Sequence, residues 1–235
     1  MSGSSPRRIA VLISGSGTNL QALIDAQNTP SLPHAEIVLV FSNRKAAFGL
    51  TRASQAQPPI STGYLALQPY LKAHPGKTRD DYDAEVAERV LQARPDLIVL
   101  AGWMHVFGEA FLERAAQAKD GQGVPVINLH PALPGAFDGT NAIERAYEAF
   151  QKGEIAHSGV MVHRVVKDVD RGEPLIVREV PIMQGEALDD FAKRLHAVEW
   201  QIIVQASKQV LDEVLPIPVS TFYSVFAFLL IFGQP

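Results

Sequence analysis

Three unbroken apolar runs constrain this chain more than any other feature: IAVLI at Ile9–Ile13, IVLVF at Ile37–Phe41 and LIVLA at Leu97–Ala101. A strand with one wet face alternates apolar and polar side chains. A strand with no polar position is covered on both faces, as in a parallel sheet sandwiched between helices. Helical spacing fills the intervals. Leu20–Ala26 and Ala46–Ala56 follow the first two runs, and Arg79–Arg94 stacks Tyr82, Val86, Ala87, Val90 and Leu91 on one face before Pro95 stops it. A third strand is expected near Tyr64–Leu67, a helix at Glu109–Ala118, a strand at Val124–Leu129 leading into His130-Pro131, and a helix at Asn141–Gln151. Then the pattern changes. Gly159–Val166 and Leu175–Val180 flank the turn-rich DVDRGEP and predict a hairpin. Leu188, Phe191, Leu195, Val198 and Ile202 predict a helix lying on the sheet. The expected fold class is α/β, a mostly parallel sheet flanked by helices with an antiparallel hairpin element.

The expected organisation is a disordered arm over residues 1–8, one domain over 9–214 and an atypical apolar tail over 215–235. The tail carries VFAFLLIF at Val225–Phe232, eight apolar residues in a row. A membrane-spanning helix needs ~20. Three readings of the tail stay open: a segment packed on the body, an oligomer contact, or sequence that is not native coding. No apolar stretch of signal-peptide length follows MSGSSPRR, so the expected location is cytoplasmic. With 21 Lys and Arg against 25 Asp and Glu, no basic excess is available to neutralise phosphates along a nucleic acid. The 47% hydrophobic content excludes a disordered chain. Absence of cysteine excludes disulfides, a thiolate nucleophile and Cys-ligated metal.

Chemistry concentrates at strand ends. Gly15, Ser16, Gly17, Thr18 and Asn19 link the first strand to the first helix, a Gly-rich turn whose N–H groups suit a phosphate. It lacks the third glycine of the dinucleotide fingerprint and the Lys of a Walker loop. Asn128 and His130 lie two apart at the end of another strand, so both can face one substrate. An amide donor beside an imidazole suits an acyl-transfer oxyanion. Asp168 and Asp170 sit in the hairpin loop, where an aspartate near His130 would favour the imidazolium. Turn aspartates are also common for purely local reasons. Trp103-Met104-His105-Val106-Phe107 either lines a slot for a flat heterocycle or packs beneath the next helix. No HExxH or H-x-x-x-H spacing and no GxSxG elbow occurs, so neither a metal site nor a covalent nucleophile is expected.

Taken in order, ISGSGTNLQAL, LAGWM, INLHPALPG and VDRG resemble the phosphoribosylglycinamide formyltransferases, within the wider folate-dependent formyltransferases. The resemblance covers roughly residues 8 to 212 and has no counterpart for the tail. It implies a Rossmann-like, seven-stranded sheet and makes 9–214 a formyltransferase domain. It implies that Asn128, His130 and Asp170 match the family's catalytic asparagine, histidine and aspartate. Gly15 to Asn19 would hold the substrate phosphate, and Glu199 would stand at the ribonucleotide site. Arg79, Met104, His105, Val106, Phe107 and Asn128 would contact the folate. The implied reaction moves the formyl group of 10-formyltetrahydrofolate to the amine of 5'-phosphoribosylglycinamide in purine biosynthesis. Formyl folate is then a substrate rather than a resident cofactor, and no metal is required. The implied partners are those two small molecules, with no nucleic acid and no membrane, in a monomer or weak homodimer. Alternatives are another folate-dependent formyltransferase, a formyltetrahydrofolate hydrolase, or a non-catalytic phospho-ligand binding module.

Overall fold

The computed structural model describes residues 5–216. The apolar run at Val225–Phe232 lies outside the described residues. Seven strands and seven helices follow in the order β1 (Arg7–Ile13), α1 (Thr18–Ala26), β2 (Ala35–Ser42), α2 (Phe48–Gln55), β3 (Thr62–Tyr64), α3 (Leu67–Ala73), α4 (Arg79–Leu91), β4 (Leu97–Leu100), α5 (Glu109–Gln117), β5 (Val126–His130), α6 (Ala142–Gln151), β6 (His157–Arg164), β7 (Pro174–Pro181) and α7 (Leu188–Val214). They build one sheet in the order β3-β2-β1-β4-β5-β6-β7. The first five strands run parallel; β6 is antiparallel to β5, and β7 to β6.

The unbroken apolar runs are explained by two cores. Ile9, Val11 and Ile13 of β1 face a layer formed with α1, α2 and α7, while Ala10 and Leu12 face the layer of α3, α4 and α5. Both layers are apolar, so the Ile9–Ile13 stretch of β1 has no position left for a polar side chain. At about 25 cal/mol per Å² of apolar surface, this double burial is the main force holding the sheet.

Three local readings are corrected. The third strand is Thr62–Tyr64 rather than 64–67, and Leu67 already begins α3. Helix α3 was not foreseen because Pro69 interrupts its pattern; the proline sits in the first turn, where its missing N–H costs nothing. Strand β1 begins at Arg7, inside the stretch assigned to a disordered arm. Arg7 is buried and bonds the carboxylate of Asp212 near the end of α7 and the carbonyl of Pro33.

The order of strands reverses at β1, which has β2 on one side and β4 on the other. The connections after β1 and β4 therefore leave the sheet on opposite faces and open a crevice beyond their carboxyl ends. The segments following β1, β4 and β5 all emerge there.

Candidate active site

A cleft of about 410 Å³ occupies this crevice. Its walls come from Gly15–Asn19 after β1, Ala101–Phe107 after β4, Asn128–Pro131 at the end of β5, and Asp170 between β6 and β7. Glu199 and His196 of α7 close one side.

At the first wall, Gly17 caps α1 in the left-handed conformation, φ 71°. The α1 N-terminus has no side-chain cap and no acidic residue in its first turn. Its first turn of N–H groups thus keeps its donors and its positive end of the helix dipole for a ligand. A Cβ on Gly17 would stand 2.7 Å from the Cα of Gly49 in α2. The loop is also held from behind, where Gly49 N–H donates to the Gly15 carbonyl (3.2 Å) and Arg52 Nε to the Ser16 carbonyl (2.8 Å). Asn19 turns away from the loop. Its amide donates to Glu199 Oε2 at 3.0 Å, and both side chains are buried. Burial pushes the Glu199 carboxyl up to about 7, and the Asn19 bond only partly opposes this.

The segment after β4 is pinned at several points. Ser14 N–H donates to the Gly102 carbonyl (3.0 Å), and Met104 N–H donates to Ser14 Oγ (2.7 Å). Arg79, proposed to contact folate, donates from Nη2 to the Val106 carbonyl at 2.6 Å and lies outside the cleft wall. Met104 and Val106 present exposed side chains at the mouth. His105 is turned inward, its Nε2 2.5 Å from Oδ1 of the fully buried Asp83 in α4. Asp83 Oδ2 also accepts the Gly108 N–H at 2.7 Å. Phe107 is buried, stacked between Trp103 (5.3 Å) and Phe111 (3.7 Å). The inner residues of this segment pack beneath it, and the outer ones line the cleft.

At the β5 end the polar groups converge. Asn128 Nδ2 lies 3.2 Å from Asp170 Oδ1 and 3.1 Å from His163 Nε2. His130 Nδ1 is 3.5 Å from Asp170 Oδ2, and His163 Nε2 is 3.4 Å from Asp170 Oδ1. Gly139 N–H donates to Asp170 Oδ2 at 2.9 Å. His163 Nδ1 is 2.9 Å from the Arg164 carbonyl, and its Nε2 stands between the Asn128 amide nitrogen and Asp170 Oδ1. Burial raises the Asp170 carboxyl, but the His163 bond, the Gly139 N–H and the two imidazoles outweigh it and hold the group below its ordinary value. Burial lowers the His130 imidazole, and the nearby Asp170 only partly restores it. His130 Nε2 is buried with no hydrogen-bond partner among the described residues.

Asp170 itself has φ 55°, the left-handed region that aspartate tolerates better than most residues. His163 was legible only as a scattered histidine. It reaches the site because the antiparallel register sets it directly opposite Asn128. His196 was equally unmarked; the available signal was its position one helical turn before Glu199. Asp168 has no contact to His130 among those described.

Known proteins resemble this chain in sequence and in fold. The formyl transferase family model matches residues 7–207. The chain is 47% identical over 207 residues to the phosphoribosylglycinamide formyltransferase of Schizosaccharomyces pombe, covering 87% of this chain and 97% of that protein. It is 45% identical to the Saccharomyces cerevisiae protein of the same name, covering 88% and 98%. The crystal structure of glycinamide ribonucleotide transformylase 1 from Geobacillus kaustophilus superposes with a TM-score of 0.73 at 30% identity, covering 88% of this chain and 99% of that one. With the sheet, the crevice and these relatives in agreement, the chain belongs to the phosphoribosylglycinamide formyltransferases of the formyl transferase family and is an enzyme.

Proposed function

We propose that the cleft transfers the formyl group of 10-formyltetrahydrofolate to the amine of 5'-phosphoribosylglycinamide, with Asn128, His130 and Asp170 as the reacting centre. One observation carries this reading: an open helix N-terminus suited to a phosphate shares one cleft with an amide, an imidazole and a carboxylate suited to an oxyanion. The ribonucleotide phosphate sits on the N–H groups of Gly17 to Asn19, with Glu199 on the ribose side. The folate lies against Met104 and Val106. The two reactants then meet in front of β5, and holding them there converts a bimolecular step into a local one.

The amine attacks the formyl carbon, a C–N bond forms, and the carbonyl electrons move to oxygen. One N–H of Asn128 is exchanged from its inward contacts to the oxyanion, and His130 Nε2 faces the same atom. Burial disfavours a charged His130. The developing oxyanion supplies the negative charge that favours its protonation. The ammonium proton formed on attack passes by way of Asp170 and His130 to the folate nitrogen, which leaves as the C–N10 bond breaks. Asp170, held below its ordinary value, acts as a fixed negative charge and relay rather than as a strong base.

The test is the absorbance change of 10-formyltetrahydrofolate mixed with the protein, with and without the ribonucleotide. Consumption of the folate only when the ribonucleotide is present is expected. Folate consumption without it indicates a hydrolase, and no consumption with ribonucleotide bound indicates a binding module; either overturns the reading.

A further inference from the structure

Asp138 lies in ALPGAFDG, the loop that follows β5, and none of the roles above uses it. One of its carboxylate oxygens, a ring nitrogen of His130 and a carboxylate oxygen of Asp170 all lie within 4.8 Å of one another. Asp138 Oδ2 accepts Arg171 Nη2 at 2.6 Å, while Oδ1 is buried with no hydrogen-bond partner among the described residues. Asp138 does not line the cleft, so it sits behind the reacting groups rather than among them. Two cross-links thus join the loop after β5 to the β6–β7 loop: Arg171 to Asp138, and Asp170 to the Gly139 N–H. Arg171 belongs to the VDRG segment and follows Asp170 directly, so the same turn positions both carboxylates.

We propose that Asp138, latched by Arg171, is a positioning residue for formyl transfer: a second carboxylate behind His130 that favours its imidazolium when the oxyanion forms. This rests on the reading of His130 given above. Electrostatics supports it. A buried imidazole resists protonation, and each carboxylate within a few ångströms opposes that resistance. The groups facing His130 are Asp170 from the β6–β7 loop, His163 from β6, and Asp138 with the Ala136 backbone from the loop after β5, while Arg171 reaches the site through Asp138. Glu199 and His196 of α7 line the same cleft, and His105 of the β4–α5 segment is committed to Asp83. Arg171 latches Asp138 through Oδ2 and offsets part of its charge; Oδ1 is left without a hydrogen-bond donor among the described residues, and Asp138 still favours the charged ring.

The experiment is an NMR titration of the His130 ring in the wild-type protein and in Asp138→Asn, which keeps the shape and can still accept from Arg171. The His130 midpoint should fall by about half to one pH unit in the variant. At neutral pH kcat should fall about three- to tenfold, with KM for both substrates within about twofold. A folded variant in which His130 titrates as in wild type overturns the proposal, as does an equal kcat loss at every pH. The wild type supplies an independent arm, needed if the variant does not fold: the Asp138 side-chain carboxyl carbon should show a step at the pH where His130 titrates, and no step there overturns the proposal. The titrations do not depend on turnover, so failure of wild-type formyl transfer would count against the proposed reaction and not against the Asp138–His130 coupling.

Discussion

Asn128 places its amide nitrogen 3.2 Å from the Asp170 carboxylate and 3.1 Å from Nε2 of His163. Such contacts hold the side chain at the reacting centre before substrate arrives, so exchange of one N–H brings a donor to the oxyanion. Asn128→Ala removes the donor and leaves Asp170 with Gly139 and two imidazoles. In steady-state assays its kcat should fall about 10²–10³-fold, with modest change in either KM. A variant within a few-fold of wild type would remove Asn128 from the mechanism. The legibility of this centre was uneven. Asn128 and His130 could be paired from sequence because two residues on one strand share a face. His163 and Asp138 could not, since a strand register and a loop path bring them in.

At the scale of elements, the site is a set of loops clamped by the elements behind them. Gly17 lies back to back with Gly49, so α1 and α2 approach to a distance that excludes a Cβ, and the positive φ of Gly17 adds strain to any substitution. Gly17→Val should therefore weaken ribonucleotide binding strongly while leaving folate binding almost intact. Calorimetry with each ligand alone would separate the outcomes. Equal loss of both would mean general misfolding, and loss of folate alone would mean that the two halves of the cleft are assigned the wrong way round. The segment after β4 depends in the same manner on α4. Asp83 accepts from both His105 and the Gly108 N–H, so Asp83→Asn weakens a buried clamp worth about 1–3 kcal/mol. The folate KM should rise, with the ribonucleotide KM unchanged; a rise in the ribonucleotide KM alone would contradict the clamp. Helix α4 itself was easy to read. Its face is amphipathic, and Thr78 and Asp81 close a capping box at its start. Strand β3 and helix α3 were harder, because three residues and a proline-interrupted seven carry little periodicity.

The whole molecule carries the energetic cost of one buried acid. Glu199 sits on α7, packed toward the cleft, with Asn19 as its single hydrogen-bond donor among the described residues. Its carboxyl rises from an ordinary 4.5 to about 7 in the folded chain, chiefly through burial. Between those values the folded state holds more protons than the unfolded one, so stability falls as pH rises from 4.5 to about 7, then levels off. The penalty amounts to about 3 kcal/mol at alkaline pH. Glu199→Gln should remove most of it, raising the unfolding free energy at pH 8.5 and changing it little at pH 4.5, while weakening ribonucleotide binding. Denaturant unfolding at both pH values would check this, and parallel stability profiles for the two proteins would show that Glu199 ionises without cost. A residue that stabilises the fold less than its replacement is the expected mark of a ligand-binding position.

By itself the sequence determined that the strands are buried on both faces, that helices cover them, and that a Gly-rich turn and the Asn128–His130 pair stand at strand ends. Those properties are local, set by spacing along a single strand or helix. Tertiary structure alone decided that β1 is flanked by β2 and β4, opening the crevice where those ends meet. It also decided that β6 runs antiparallel with His163 opposite Asn128, and that two loops lock Asp138 and Asp170 around His130. The physical reason is distance along the chain: Asn128 and Asp170 are 42 residues apart, and Asn19 and Glu199 are 180 apart. No periodicity within one element records contacts of that range; they exist once the sheet is assembled and both of its faces are covered.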